Sequence, residues 1–252
     1  MRLKGKVAVI TGAGAGIGRA VALRFADEGA AVVVAEIDGR SGRDTVEEIQ
    51  RSDGVALLAR SDVSNEEDVR VMVDAALSRF GQIDVLFNNA AILLRDQEAR
   101  AHELTNAAWD RTIAVNLRGY WLCAKYVIPH MLRHQRGSII QVASPTGMRG
   151  FARLTAYSTS KGGVLALSRA MAIDYAPDNI RVNAIVPGTI DTPMNAAELA
   201  NEESRQCFIS RAPAGRLGTP EDICGLAVFL ASDESAYCFG GVYMADGGLT
   251  AV

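Results

Sequence analysis

Short β-branched runs alternate with helix-length segments along this chain, and that alternation limits the fold more than any other feature. Apolar runs at 7–10, 31–35, 55–59, 83–87, 138–142, 180–186 and 241–245 read as strands. Between the first two, residues 17–28 read as a helix that Gly29 stops. A polar helix is expected over 43–51. Ser64, with Glu67 three residues on, has the form of a capping box and opens a helix to Phe80-Gly81, with Val69, Met72, Val73, Ala76 and Leu77 on one side. Residues 107–133 read as a long helix. Ile113, Val115, Leu117, Trp121 and Val127 are spread round it, which predicts burial on more than one side. A further helix starts at Tyr157 and another covers 221–231, whereas 191–218 reads as a polar, loop-like lid. Strands that alternate with helices pair in parallel and carry helices on both faces. No linker, repeat or composition break divides the 252 residues. The expectation is one doubly wound α/β domain over 1–252 with about seven strands.

The turn after the first strand is Thr11-Gly12-Ala13-Gly14-Ala15-Gly16-Ile17-Gly18. Glycines between a strand and a helix allow a tight turn and let backbone N–H groups approach a pyrophosphate at the helix N-terminus. The spacing of Gly12, Gly16 and Gly18 is G-x-x-x-G-x-G rather than G-x-G-x-x-G. Glu36 closes the second strand, where a carboxylate accepts hydrogen bonds from a ribose diol and repels a 2′-phosphate, favouring NAD over NADP. A solvated loop acid would read the same way. Asp38 is a second candidate, and Arg40 and Arg43 stand close by.

Tyr157 and Lys161 lie one helical turn apart. A phenol titrates near ~10, and a neighbouring ammonium lowers that value, so the pair is a candidate proton-transfer group. Alone, the spacing fits an amphipathic helix with a surface lysine better, because Tyr-x-x-x-Lys occurs often by chance. Val164, Leu165, Leu167, Ala170, Met171 and Ile173 follow in a pattern that suits packing on a core.

Composition excludes several partners. The net charge is −3, so no basic surplus points to nucleic acid or an anionic membrane. No apolar run approaches the ~20 residues of a membrane span, and the run after the first six residues is too short for a signal-peptide core. Cys123, Cys207, Cys224 and Cys238 have neither Cys-x-x-Cys spacing nor matching histidines, which fits reduced thiols in a cytoplasmic protein better than disulfides or zinc. His130 and His134 are one turn apart without an acidic or cysteine partner, and no metal site is expected.

Taken together, Thr11-Gly-x-x-x-Gly16-x-Gly18, Asp62-Val63, Asn88-Asn89-Ala90, Asn116, Ser144, Tyr157-x-x-x-Lys161 and Pro187-Gly188 resemble the short-chain dehydrogenase/reductase family over nearly the whole chain. The resemblance implies a Rossmann-type fold that binds NAD along Gly12, Ala15, Gly16, Ile17, Gly18, Glu36 and Ile37. Asp62 and Val63 would hold the adenine, and Asn89 and Ala90 would line the adenosine side. Asn116 would hold a water that relays protons. Ser144 would bond the substrate oxygen and Tyr157 would exchange the proton. Lys161 would bind the nicotinamide ribose and keep Tyr157 acidic. Pro187, Gly188, Ile190 and Thr192 would cover the nicotinamide. One departure is Ala91, where the family usually has glycine.

The lid holds small and polar residues with few large apolar ones, which suits a hydroxylated substrate. Arg149 and Arg95 could each pair with a substrate carboxylate, or could be solvated surface arginines. The expectation is a sugar, polyol or sugar acid oxidised with NAD. An alternative is a 3-oxoacyl-[acyl-carrier-protein] reductase, which normally prefers NADPH and often has a basic residue in the glycine turn, where Ala13 and Ala15 stand. A third is a silent nucleotide-binding regulator, though Ser144, Tyr157 and Lys161 are all kept. The apolar faces of the long helix and the Tyr157 helix, with the resemblance, imply a homotetramer.

Overall fold

In the computed structural model, which describes residues 1–251, seven strands form one sheet in the order β3-β2-β1-β4-β5-β6-β7. They are β1 (Val7–Thr11), β2 (Ala31–Glu36), β3 (Val55–Arg60), β4 (Val85–Asn88), β5 (Gly137–Val142), β6 (Ile180–Pro187) and β7 (Val242–Ala245). Every neighbouring pair is parallel. Strand side chains alternate between the two faces. Ala8 and Ile10 of β1 join a core with Val32 and Val34, whereas Val7 and Val9 join the opposite core with Val33. Both faces need an apolar cover, and the helices supply it.

One face is covered by α1 (Gly16–Asp27), α2 (Gly39–Arg51) and α9 (Pro220–Ala231) through Val21, Phe25, Ile49, Ile223 and Ala227. The other is covered by α3 (Glu66–Phe80), α5 (Gly119–His134) and α6 (Thr155–Tyr175) through Met72, Val73, Leu122, Val127 and Met171. The strand order reverses between β1 and β4. In doubly wound sheets the crevice at that reversal, outside the carboxyl ends of the strands, is where ligands bind. Thr11 and Asn88 end these two strands.

Four local expectations need correction. Asn65, not Ser64, caps α3, accepting from Glu67 N (2.9 Å) and Asp68 N (3.3 Å), while Ser64 donates to Asp62 Oδ1 at 2.6 Å. Residues 191–218 are not all loop: α7 (Ala196–Leu199) and α8 (Glu202–Arg211) lie within them. No residue of α8 is buried, so it carries no apolar stripe to announce itself; Asn201 caps it through Ser204 N at 2.9 Å. The long helix is α4 (Asn106–Ile113) and α5 joined by one π-helical stretch, Ala114–Arg118. Trp121, expected among its buried residues, is 44% exposed in the single chain. Among the described residues no helix is long and apolar enough to cross a membrane.

Candidate active site

The glycine turn is built by steric need. Gly12 has φ +64°, and a β-carbon there would stand 2.9 Å from Ala90 Cα. Gly16 has φ +51°. A β-carbon on Gly18 would stand 2.1 Å from the Gly12 carbonyl, so Gly18 lets α1 pack against its own entry turn. It lines neither cavity described below, and its contribution to a cofactor site is through the backbone it permits. Thr11 Oγ1 accepts Asn89 N (2.9 Å) and Ala90 N (3.1 Å), and the Asn89 amide donates to Thr11 O (3.0 Å) and Gly12 O (3.1 Å). These bonds stitch the ends of β1 and β4 together at the reversal. Ala15, the residue before α1, offers no side-chain cap, so the first N–H groups of α1 stay free for an anion.

A cavity of about 590 Å³ runs from this turn along the sheet edge. Gly12, Ala15, Gly16, Ile17, Glu36, Ile37, Asp62, Val63, Asn89, Ala90 and Thr192 all line it. Glu36 accepts Gly14 N (2.9 Å), Ile37 N (2.9 Å) and Asp38 N (3.2 Å), which fixes both carboxylate oxygens at the cavity wall. An ionised carboxylate has about four acceptor sites, so about one remains for a ribose hydroxyl. Asp38 instead caps α2 through Arg40 N at 3.0 Å. Burial opposes ionisation of Asp62, but hydrogen bonds from Ser64 and the Arg111 guanidinium outweigh it and hold the carboxyl below its usual range. Arg111, which also lines the cavity, was not legible in the sequence; its only signal is a position on the helix facing Asp62.

A second cavity, of about 1010 Å³, shares Ile17, Asn89, Ala91 and Thr192 with the first. Ser144, Tyr157, Lys161, Pro187, Gly188 and Ile190 line it, so three of the four expected catalytic residues share one cavity, whereas the fourth, Asn116, lines neither. Ala91, the departure from the family pattern, lies where the two cavities meet. Ser144 Oγ accepts Thr146 N at 3.3 Å and Thr146 Oγ1 at 3.0 Å. Asn116 lies in the π-helical stretch, with its amide paired to Ile92 N (2.8 Å) and Ile92 O (2.9 Å) and to Ser160 Oγ (3.2 Å). That turn aims a fully buried amide at the loop after β4.

The electrostatics correct a further expectation. Burial pushes the Tyr157 phenol up to about 12, not down; a hydrogen bond with Ser144 and the charge of Arg95 pull the other way. Burial also pushes Lys161 down to about 7. The ammonium does not bond the Tyr157 hydroxyl. It donates to Val142 O (2.8 Å) and Tyr120 Oη (3.3 Å), and stands 5.8 Å from the Tyr157 ring centre. One turn of helix brings the two residues together, yet the lysine turns inward to the sheet.

Both arginine candidates line this cavity, and each already has a partner. Arg95 pairs with Glu198 of α7 at 2.6 Å and reaches Asn195 Oδ1 at 3.3 Å. Arg149 donates to Leu249 O at 2.6 Å, a neutral acceptor that leaves its charge uncompensated. Arg153 and Arg211, not anticipated, line the same wall. Glu98, also missed, accepts Ala156 N (3.1 Å) and Tyr157 N (2.7 Å) and so caps α6 from a distant loop.

The paired cavities fit a dinucleotide. The glycine cradle admits no β-carbon at Gly12 or Gly18, free N–H groups face it, and a carboxylate stands at the end of β2. Among the described residues no three His, Cys, Asp or Glu side chains cluster as metal ligands, and Cys123, Cys207, Cys224 and Cys238 are unpaired.

Comparison with known proteins agrees with this geometry. A family model described as enoyl-(acyl carrier protein) reductase matches residues 12–250. The chain is 44% identical over 257 residues to the uncharacterised oxidoreductase YxbG of Bacillus subtilis strain 168, covering 99% of this chain and 93% of that one. It is 40% identical to the 3-oxoacyl-[acyl-carrier-protein] reductase FabG of Thermotoga maritima, covering 99% of each. A crystal structure assigned to an NAD(P)-dependent gluconate 5-dehydrogenase from Beutenbergia cavernae, with NADP bound at low occupancy, superposes with a TM-score of 0.93 at 37% identity, over 99% of this chain and 98% of that one.

Proposed function

The chain belongs to the short-chain dehydrogenase/reductase family, and from that premise we propose that it oxidises a secondary alcohol of a hydroxylated, carboxylate-bearing substrate such as a sugar acid, with NAD as hydride acceptor. The observation that carries this reading is the wall of the larger cavity. Arg149, Arg153 and Arg211 line it together with Ser144 and Tyr157, Arg153 also reaching Glu103 at 3.9 Å, and the cavity's two carboxylates are already engaged, Glu98 by backbone N–H groups and Glu198 by Arg95. Guanidinium groups recognise carboxylates by paired hydrogen bonds. The similarity to a structure assigned as a gluconate dehydrogenase supports the same substrate class. Simple sugars and polyols, which offer hydroxyls without the carboxylate, are the broader form of the proposal.

When bound, NAD⁺ accepts the hydride and brings a positive charge that favours the phenolate. The chain's own groups do the rest. Tyr157 Oη takes the proton from the alcohol as general base. Ser144 Oγ holds the substrate oxygen as an oriented donor while carbonyl character develops. Lys161 holds positive charge behind the phenol and keeps one donor, beyond those given to Val142 O and Tyr120 Oη, for a ribose hydroxyl. Each unit by which Tyr157 is brought down from about 12 corresponds to roughly 1.4 kcal/mol of preference for the phenolate. Glu36 supports NAD over NADP, because a 2′-phosphate would meet its fixed carboxylate.

The test is a panel of sugar acids, aldoses and polyols, each with NAD⁺ and NADP⁺, followed by NADH absorbance. Turnover of sugar acids with NAD⁺, and a switch toward NADP⁺ in Glu36→Ala, support the proposal. A second reading, reduction of 3-oxoacyl thioesters with NADPH, has the FabG relative in its favour. Activity on acyl thioesters alone would establish it instead. Exposed Trp121 on α5 and Ile173 on α6 support a homotetramer assembled on those helices, which light scattering at micromolar concentration tests. The four unpaired thiols support a reducing, cytoplasmic setting.

A further inference from the structure

Behind Lys161 lies a second buried phenol that the reaction as described does not use. Tyr120, in the first turn of α5, is 1% exposed, as is Lys161. Its hydroxyl donates to Val142 O at 3.2 Å and accepts from Lys161 Nζ at 3.3 Å. The same ammonium also donates to Val142 O at 2.8 Å, and it stands 5.1 Å from the centre of the Tyr120 ring. Three elements thus meet on one nitrogen: β5 through a carbonyl, α5 through a phenol, and α6 through the lysine itself.

We propose that Tyr120 is a positioning residue for Lys161: its neutral hydroxyl, anchored on Val142 O, gives the ammonium a fixed second acceptor that holds it charged and in place for the dinucleotide. A buried ammonium is costly unless its donors are met. Val142 O supplies one acceptor, and among the described residues no carboxylate bonds the ammonium. From α5 the titratable groups that face this region are Tyr120 and Cys123, and from α6 Tyr157. β5 offers only its carbonyl, and Pro145, Thr146 and Gly147 of the turn before α6 carry no charge. Of the charged groups in the cavity, the Arg95 cation acts on Tyr157, and Glu98, the anion that caps α6, spends its carboxylate on Ala156 N and Tyr157 N and does not bond Lys161. Burial, with the neighbouring Tyr157 and Cys123, keeps the Tyr120 phenol well above its ordinary pKa, so it stays a neutral donor-acceptor. Hydrogen bonds to the charged form favour it, and the Tyr120 oxygen therefore opposes the burial that pushes Lys161 down to about 7. The Tyr120 ring face adds a cation–π contact of the same sign.

This inference rests on the dinucleotide-binding reading, and the experiment separates the two. NADH binding is followed by fluorescence between pH 6 and 9 for the wild-type protein and Tyr120→Phe, alongside an NMR titration of the Lys161 ammonium in the dinucleotide-free protein. Affinity of the wild type should fall as pH rises through the Lys161 pKa. In Tyr120→Phe the fall should come about one pH unit lower, a tenfold loss of affinity on that limb, with the NMR titration displaced equally. The ring remains in Phe, so a packing role alone would leave both pH profiles in place. Superimposable profiles overturn the proposal, whatever happens to the rate. If Tyr120→Phe does not fold, Tyr120→Met carries the same comparison; if neither folds, the hydroxyl is a structural requirement and the proposal falls. Absence of NADH binding by the wild type at every pH would defeat the dinucleotide reading itself.

Discussion

The Glu98 carboxylate accepts the backbone N–H of Tyr157 at 2.7 Å, across 59 positions of sequence. Its other oxygen accepts Ala156 N at 3.1 Å, and Thr155 Oγ1 donates to Ala99 O at 2.7 Å. Leu154, the residue before α6, offers no side-chain cap. The loop after β4 therefore closes the N-terminus of the helix that carries the base, and a negative charge at that end also suits the helix dipole. Glu98→Ala is expected to lower unfolding stability by about 1 kcal/mol, the usual cost of losing a cap, and to lower kcat more than it raises KM. Denaturant unfolding and steady-state kinetics measure the two. An unchanged kcat would show that Tyr157 is oriented by other contacts.

Tyr157 and Ser144 share one wall of the larger cavity. Tyr157→Phe keeps the ring and removes the proton acceptor, so turnover should almost vanish while NADH still binds. A variant that kept more than about a tenth of the wild-type rate, which is roughly 1.4 kcal/mol of barrier, would remove Tyr157 from the base role. Ser144→Ala should cost about 10²-fold in kcat, the scale of losing one donor to a developing oxyanion, with NADH affinity unchanged. Stopped-flow binding beside initial rates separates chemistry from association.

Much of this was legible because the alternation of apolar runs and helices sets the sheet, and because β1 and β2 lead directly into the glycine turn and Glu36. What escaped depends on contacts between distant segments. Glu98 reads as one acid in a polar loop until the chain closes on α6. Arg111 meets Asp62 only when α4 crosses the end of β3. The helix α8 buries nothing, so periodicity could not reveal it. The expected lowering of the Tyr157 pKa assumed that a lysine one turn away points at the phenol. Spacing gives proximity of backbones, but the direction of Lys161 is decided by the carbonyl of Val142 and the hydroxyl of Tyr120.

Gly18 and Gly225 both sit in helices, with opposite surroundings. Replacing a helical glycine by alanine ordinarily gains about 1 kcal/mol. At Gly225 the added β-carbon meets nothing within 4 Å, so Gly225→Ala should gain roughly that amount. At Gly18 the same β-carbon would lie 2.1 Å from the Gly12 carbonyl, a backbone atom of the cradle. Gly18→Ala should therefore lose stability and weaken NADH binding by forcing α1 away from the turn. Equal thermal shifts in the two variants would mean that the cradle yields freely.

Lys161 makes the dinucleotide-free protein depend on pH in a direction that follows from its burial. Its folded pKa is about 7, against an ordinary 10.5. Between those values the unfolded chain holds a proton on this lysine that the folded chain has released, so its term raises stability as pH climbs from about 7 toward 10.5. Below about 7 both states are protonated and the full cost of burying the charge is felt. Lys161→Met removes that cost while keeping an unbranched apolar stem. Its Tm should exceed that of the wild type most clearly at pH 6, by about 2–4 °C for each kcal/mol removed, and the gap should narrow by pH 9. Turnover should be lost in the same variant, because the group that destabilises the free fold is the one proposed to hold charge behind the base. Calorimetry across this pH range decides the matter, and a Tm difference independent of pH would show that the lysine keeps its proton in the folded chain across the range, its pKa not lowered by burial.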